Sequence, residues 1–241
     1  NGTDLSADGS IIAIGASNFY GIGDFGDDFG LVRVFKNNGG AWEQMGSDII
    51  GDISTSVGSG VSLSEDGLTM AVGAGSYQNS TGQIKVYKFL NNDWVQIGNE
   101  INGEAENDVL GSTLSISADG NRLALSTTTA GRTMGYLKVF ENIDDTWIQL
   151  GETIRSDGSI FNFGIRIALS SDGAVLATSS NSAVEIYGVT DNSVEKLDIE
   201  IVNMPDSIIN DMNLSSDGTR IIVENIPEVF VYDIGEFTLS N

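Results

Sequence analysis

LSEDGLTMAVGA, residues 63–74, decides the fold. Its Asp66-Gly67 pair marks a tight turn, because glycine accepts the positive φ that such turns demand. Val61-Ser62-Leu63 before the turn and Leu68–Ala74 after it have the length and alternation of strands, so the segment reads as strand, turn, strand. The five-residue core recurs as LSADG at 5–9, ISADG at 116–120, LSSDG at 169–173 and LSSDG at 214–218. The turn aspartates Asp8, Asp66, Asp119, Asp172 and Asp217 are 58, 53, 53 and 45 residues apart. Self-similarity at such a period is the signature of a repeat architecture.

Working outward, a second landmark follows the first three turns: Trp42, Trp94 and Trp147, within WEQMG, WVQIG and WIQLG. Val194 and Phe237 replace the tryptophan in the last two copies. Between the landmarks runs an alternating β-branched and aromatic segment: LVRVFK at 31–36, IKVYKF at 84–89, YLKVFE at 136–141, AVEIYG at 183–188 and EVFVYD at 228–233. Each copy therefore holds four strands, A to D: A enters the turn, B leaves it, C is the alternating segment and D carries the tryptophan. Four strands per 40–50 residues describe the blade of a WD40-like propeller. The expected fold is all-β, a five-bladed β-propeller of four-stranded antiparallel blades. The chain forms one domain with blades near 1–47, 48–99, 100–152, 153–200 and 201–241. The alternative is that these five blades belong to a larger ring.

Composition narrows the function. The 241 residues include no cysteine and no histidine, which removes disulfides, thiolate ligands, the commonest general base and the commonest transition-metal ligand. Asp and Glu number 34 against 11 Lys and Arg, a formal charge of -23. Such a surface repels phosphate backbones and anionic membranes, so nucleic acid is excluded as a partner, and no apolar run is long enough for membrane insertion. The start at Asn1 reads as a processed or trimmed product, in keeping with secretion. Five-bladed rings can host glycosidases with paired carboxylates around the channel. Here the inner strands offer Asp4, Ser62, Ser115, Ala168 and Asn213, one carboxylate and no pair. No enzyme is expected.

The stretches VGSGVSLSEDGLTMAVGAG (57–75), LGSTLSISADGNRLALS (110–126) and FGIRIALSSDGAVLATS (163–179) resemble FG-GAP-type repeats, the units of integrin α-subunit head propellers. The Phe-Gly at 163–164 and the Gly-Ala at 15–16 and 73–74 match that pattern literally. The resemblance implies a propeller with an adhesive or recognition role at the cell surface or outside the cell. FG-GAP repeats often carry a calcium loop of the form Asp-x-Asp-x-Asp-Gly. Here the turn has shrunk to Ser-x-Asp-Gly, whose one carboxylate cannot supply the six to eight oxygens calcium takes. No cofactor is expected, and the turn aspartates are assigned to their own turn backbones.

Strands that alternate in direction put the A–B and C–D loops on one face and the B–C and D–A loops on the other. The second set is long and dissimilar, and variable loops on a repeated scaffold are where recognition resides. Within it, residues 17–30 gather Phe19, Tyr20, Asp24, Phe25, Asp27, Asp28 and Phe29 among four glycines. They are the candidate binding residues, with Asp24, Asp27 and Asp28 the candidate cation ligands; a loop that merely tucks its aromatics against the blade is the bland reading. Glu104, Glu106 and Asp108 read as solvated, and Arg33, Lys85 and Lys138 as solvated edge chemistry with stems along the next blade. The tryptophans are expected to cover the gaps between blades. Asn79, in the sequon Asn79-Ser80-Thr81, is the glycosylation candidate. The functional expectation is recognition of a protein or glycan through the long-loop face; the alternative is a scaffold subunit of an extracellular or cell-surface assembly.

Overall fold

The computed structural model describes residues 2–19, 29–127, 135–156, 162–180, 183–199, 201–202, 209–225 and 227–235. Among these residues the architecture is all-β: five antiparallel blades in a propeller arrangement, with one four-residue helical turn, Tyr77–Ser80. Blade one is Thr3–Leu5, Ile11–Ala16, Leu31–Asn38 and Ala41–Gln44, with Ile49–Ile50 extending its outer strand. Blade two is Val57–Leu63, Thr69–Ala74, Gln83–Leu90 and Asp93–Asn102, and blade three Thr113–Ile116, Arg122–Ser126, Tyr136–Ile143 and Thr146–Arg155. Blade four is Ile167–Leu169, Val175–Ser179, Ala183–Val189 and Val194–Lys196, joined by Ile201–Val202. Blade five shows Asp211–Leu214, Arg220–Asn225 and Glu228–Asp233; the fourth strand expected at Phe237–Leu239 lies outside the described residues. The outer strands of blades two and three run on to Asn102 and Arg155, so the loops after them are shorter than the sequence suggests.

The turn repeats atom for atom. Ser64 Oγ donates to Asp66 Oδ1 at 2.6 Å, Asp66 Oδ1 accepts the Leu68 amide, and Ser64 Oγ accepts the Thr69 amide. Ser6–Asp8, Ser117–Asp119, Ser170–Asp172 and Ser215–Asp217 repeat the first contact. Each aspartate thus closes its own turn, as its sequence setting predicts.

Blades pack through a fixed alternation along strand B. The glycine of each turn after the first seats on the strand B residue that opens the preceding blade's face: Gly67 on Ile11, Gly120 on Thr69, Gly173 on Arg122 and Gly218 on Val175. Two residues on, Ala13, Ala71, Ala124 and Ala177 are wholly buried, their small side chains allowing close sheet-on-sheet packing. The alternate residues point the other way, so Met70 and Val72 join Ile11, Ala13, Val32 and Val34 in one core cluster. Higher up, Gly73 meets the next blade's backbone: a Cβ there would lie 1.9 Å from the Gly111 carbonyl oxygen, and one on Gly15 would lie 2.3 Å from that of Gly58. The Gly-Ala element is therefore a contact surface for the next blade's Gly.

Two hydrogen-bonded chains stitch blade to blade near the axis. In the turns, Ala7 N donates to Glu65 O, Glu65 N to Ala118 O, Ala118 N to Ser171 O and Ser171 N to Ser216 O, at 2.8–3.0 Å. On the inner strands, Asp4 Oδ2 accepts the Leu63 amide, Ser62 Oγ the Ile116 amide and Ser115 Oγ the Leu169 amide. Asp4 is thereby engaged in blade packing, and the structure adds a second inner-strand carboxylate that the sequence reading missed, Asp211 at the start of the inner strand of blade five. Trp94 is buried and its indole donates to Met45 O of blade one at 2.8 Å. Trp147 is buried over Gly98, its Nε1 without a partner among the described residues, and Val194 takes the same place over Gly151.

Candidate functional site: the cleft between blades one and two

Phe19 and Phe29 flank the acidic aromatic loop singled out by sequence. Phe29 N donates to Phe19 O at 3.1 Å, and Phe29 O accepts the Val57 amide at 3.3 Å, tying that base to the loop after blade one. Tyr20, Asp24, Phe25, Asp27 and Asp28 lie outside the described residues. Among the described residues, no three carboxylates come together as a metal group would require.

Beside this base opens a cleft of about 250 Å³ between the loop at 49–57 and the third strand of blade two. Its walls carry Asp52, Tyr77, Lys85 and Tyr87 over Ile49, Val57, Val72 and Ala74. The backbone is held in unusual geometry: Ser54 and Ser56 have φ of 60° and 54°, while Ser56 Oγ bonds Ser76 Oγ at 2.9 Å and joins the two loops. A side chain on Gly51 would lie 2.2 Å from Phe29 O, so this glycine lets the loops close on each other. Ile50 in the cleft wall and Ile53, which lines the adjoining hollow with Asp52, Thr55 and Tyr77, are more than half exposed at this rim.

The charge at the cleft centres on Lys85, which pairs with Glu100 at 3.1 Å. Burial acts to lower the Lys85 pKa, but Glu100, with Tyr87 and Asp52, outweighs it and holds the ammonium charged. Burial pushes the Tyr87 phenol up, Glu100 adds to this and Lys85 opposes it.

The repeat supplies its own control. One blade on, Glu104 stands where Asp52 does, Lys138 where Lys85 does, and Tyr136 where Gln83 does. There Glu104 reaches across to Lys138 at 2.8 Å and also pairs with Arg155, with both cations flanking the Tyr136 ring. Burial acts to raise the Glu104 carboxyl, yet Lys138 and Arg155 hold it below the usual range. Asp108 is buried and accepts the Glu104 and Ala105 amides and the Tyr136 hydroxyl. The site between blades two and three is thus filled and locked, whereas Asp52 and Lys85 form no ion pair and leave theirs open.

Two expectations are corrected here. Glu104 and Asp108 are ordered parts of the junction, because their partners lie roughly 30–50 residues away where a local reading cannot see them. Arg33, Lys85 and Lys138 are each paired, with Asp48, Glu100 and Glu104, and blade four carries the pair with its charges exchanged, Glu185 with Lys196. Asn79 is exposed, but its side-chain amide donates to Glu106 Oε1 at 3.0 Å. Tyr77, Lys85 and Tyr87 went unselected as site residues; the signal lay in aligning the junctions of the repeat.

No family model matches the chain, and no curated protein does. Solved structures do. Hydrazine synthase from Kuenenia stuttgartiensis superposes with a TM-score of 0.66 at 16% identity, over 97% of this chain and 64% of that one. The β-propeller domain of Cps50 (Swd1) from Myceliophteria thermophila gives 0.64 at 9% identity, over 100% and 66%. Hsv2 from Kluyveromyces lactis gives 0.57 at 18% identity, over 86% and 56%. This chain therefore spans less than two thirds of the length of each. At such identities the likeness is one of fold: the chain is a five-bladed β-propeller, similar in architecture to these structures.

Proposed function

We propose that this chain is a non-catalytic recognition and scaffold propeller that docks a partner protein on its long-loop face, centred on the cleft between blades one and two. The observation that carries this is the contrast between junctions: the same framework is sealed by Glu104–Lys138 in one and left open between Asp52 and Lys85 in the other. Ile50 and Ile53 at the rim favour a protein over a free sugar, because exposed aliphatic side chains beside a pocket suit a desolvated contact. The acidic surface suits a basic partner. The propeller architecture itself is in keeping with a scaffold role, the second reading. Kinship with FG-GAP repeats and an extracellular setting rest on the sequence resemblance alone.

The test is quantitative co-purification of the tagged chain with partners from its source, beside Ile53→Asp at the rim and Val95→Asp on a distant exposed strand. A partner retained by wild type and Val95→Asp but lost by Ile53→Asp supports the reading. A partner set indifferent to both variants, together with glycan-array binding abolished by Tyr77→Ala, would replace it with a lectin.

A further inference from the structure

Among the described residues, none of the blade-to-blade devices described above crosses the seam between blades five and one. Among the described residues, Ser216 N has no acceptor and Ala7 O no donor, although the turn ladder runs unbroken between them through the other blades. Among the described residues, Gly9 meets nothing of another blade, whereas Gly67, Gly120, Gly173 and Gly218 each seat on a neighbour. Trp42 is 47% exposed, while Trp94 and Trp147 are 8% and 3%.

Both faces at the seam are apolar. On blade one, Ile14 occupies the position of Val72, Leu125 and Val223, which are 0–3% exposed, yet it is 40% exposed, beside Leu5 at 50%. On blade five, Ile222 holds the position of the wholly buried alanines and is 46% exposed, with Val229 and Val231 at 60% and 66%. These sets face away from the blade interfaces that do form.

We propose that this seam is the docking surface for further blades of the same four-stranded repeat, covalently continuous with these five in the native protein. The faces continue the established interface: an incoming turn would give its carbonyl to Ser216 N, its glycine would seat on Arg220, and an inner-strand amide would meet Asn213 as Leu63 meets Asp4. On the other side, a blade would bring an amide to Ala7 O and a glycine beneath Trp42. The comparisons agree in size, since the whole chain superposes on only 66% of a solved β-propeller domain. The missing third corresponds to about two blades, within the range of roughly four to eight that propellers use.

The chain has no cysteine, so paired cysteines report the seam directly. Ala7→Cys with Glu65→Cys should cross-link on mild oxidation, because those turns are bonded; Ala7→Cys with Ser216→Cys should stay at background. Cross-linking of the second pair in the monomer, at a yield matching the first, overturns the proposal in favour of a ring closed by five blades. A second measurement needs no variant: hydroxyl-radical footprinting of Trp42 in this chain and in the protein purified from its natural source. Trp42 should react strongly in the isolated chain and fall to the level of Trp94 in the native protein. Equal reactivity in both overturns the proposal, as does a seam occupied by a second copy, seen as a dimer that protects Trp42.

Discussion

The indole of Trp94 in blade two donates 2.8 Å to the main-chain carbonyl of Met45 in blade one, from a position packed against the Phe89 ring at 5.3 Å. One side chain thus fills the groove between two sheets and satisfies a carbonyl at its edge. Trp94→Phe should lose about 1 kcal/mol for the hydrogen bond, and Trp94→Ala about 3–5 kcal/mol. Trp42→Ala, on the exposed counterpart, should change stability by less than about 0.5 kcal/mol. Urea unfolding of the three variants measures all of this.

Asp4 Oδ2 takes the Leu63 amide at 2.7 Å, the part Ser62 and Ser115 play with hydroxyls. Asp4→Ser should therefore be tolerated, while Asp4→Ala should cost about 1–2 kcal/mol by leaving a donor between blades unmatched. Denaturant midpoints should rank wild type, serine, alanine in that order.

Gly73 sits against the Gly111 carbonyl with no space for a methyl group. Gly73→Ala should cost about 3 kcal/mol or leave no soluble protein, since a rigid backbone cannot give way as a side chain would. Gly75→Ala, where a Cβ would come no closer than 3.2 Å to its neighbours, should be far milder. Thermal melts of the two variants separate packing from composition.

The turn aspartates set an acid limit. Hydrogen bonds from the Ser10 amide and the Ser6 hydroxyl hold Asp8 at about 2, and bonds from Ser215 and Thr219 hold Asp217 at about 2, against 3.8 unperturbed. A folded pKa below the unfolded one means a contribution present above pH 3.8 and lost as pH falls through about 2. Carboxyl NMR titration should place both residues near 2, and Asp8→Asn should remove that part of the acid sensitivity. A normal titration of Asp8 would show the turn to be bonded otherwise.

Tyr136 donates to the buried Asp108 carboxylate at 3.0 Å. Tyr136→Phe should cost about 1–2 kcal/mol, because Asp108 keeps its two amide donors but loses a third while still buried. Asp52→Ala at the open junction should leave stability within about 0.5 kcal/mol and act on binding alone. Calorimetry of both variants tests whether one junction is structural and the other functional.

The fold was legible because each determinant was written several times. Asp66 alone marks one turn, but Asp8, Asp119, Asp172 and Asp217 in register mark an architecture, and Trp94 and Trp147 mark its grooves. The cleft was not legible, because it arises where the repeat departs from itself. Gln83 in place of Tyr136, and Asp52 in place of Glu104, are unremarkable substitutions until the loops are folded beside one another. Asp108 was misread for a related reason: local sequence shows a cluster of acids, while the hydroxyl that orders it arrives from Tyr136, 28 residues on.

The turn ladder has a direction. From Ala7 to Ser216 each amide points to the next carbonyl in the same rotational sense, so every blade has a distinct head and tail and the contact is heterologous. Head-to-tail units carry no instruction about their own number; closure is decided by the angle between neighbours, and any copy could be duplicated in place without inventing a new interface. The number of blades is thus not written into any one joint, whose chemistry is the same wherever it recurs.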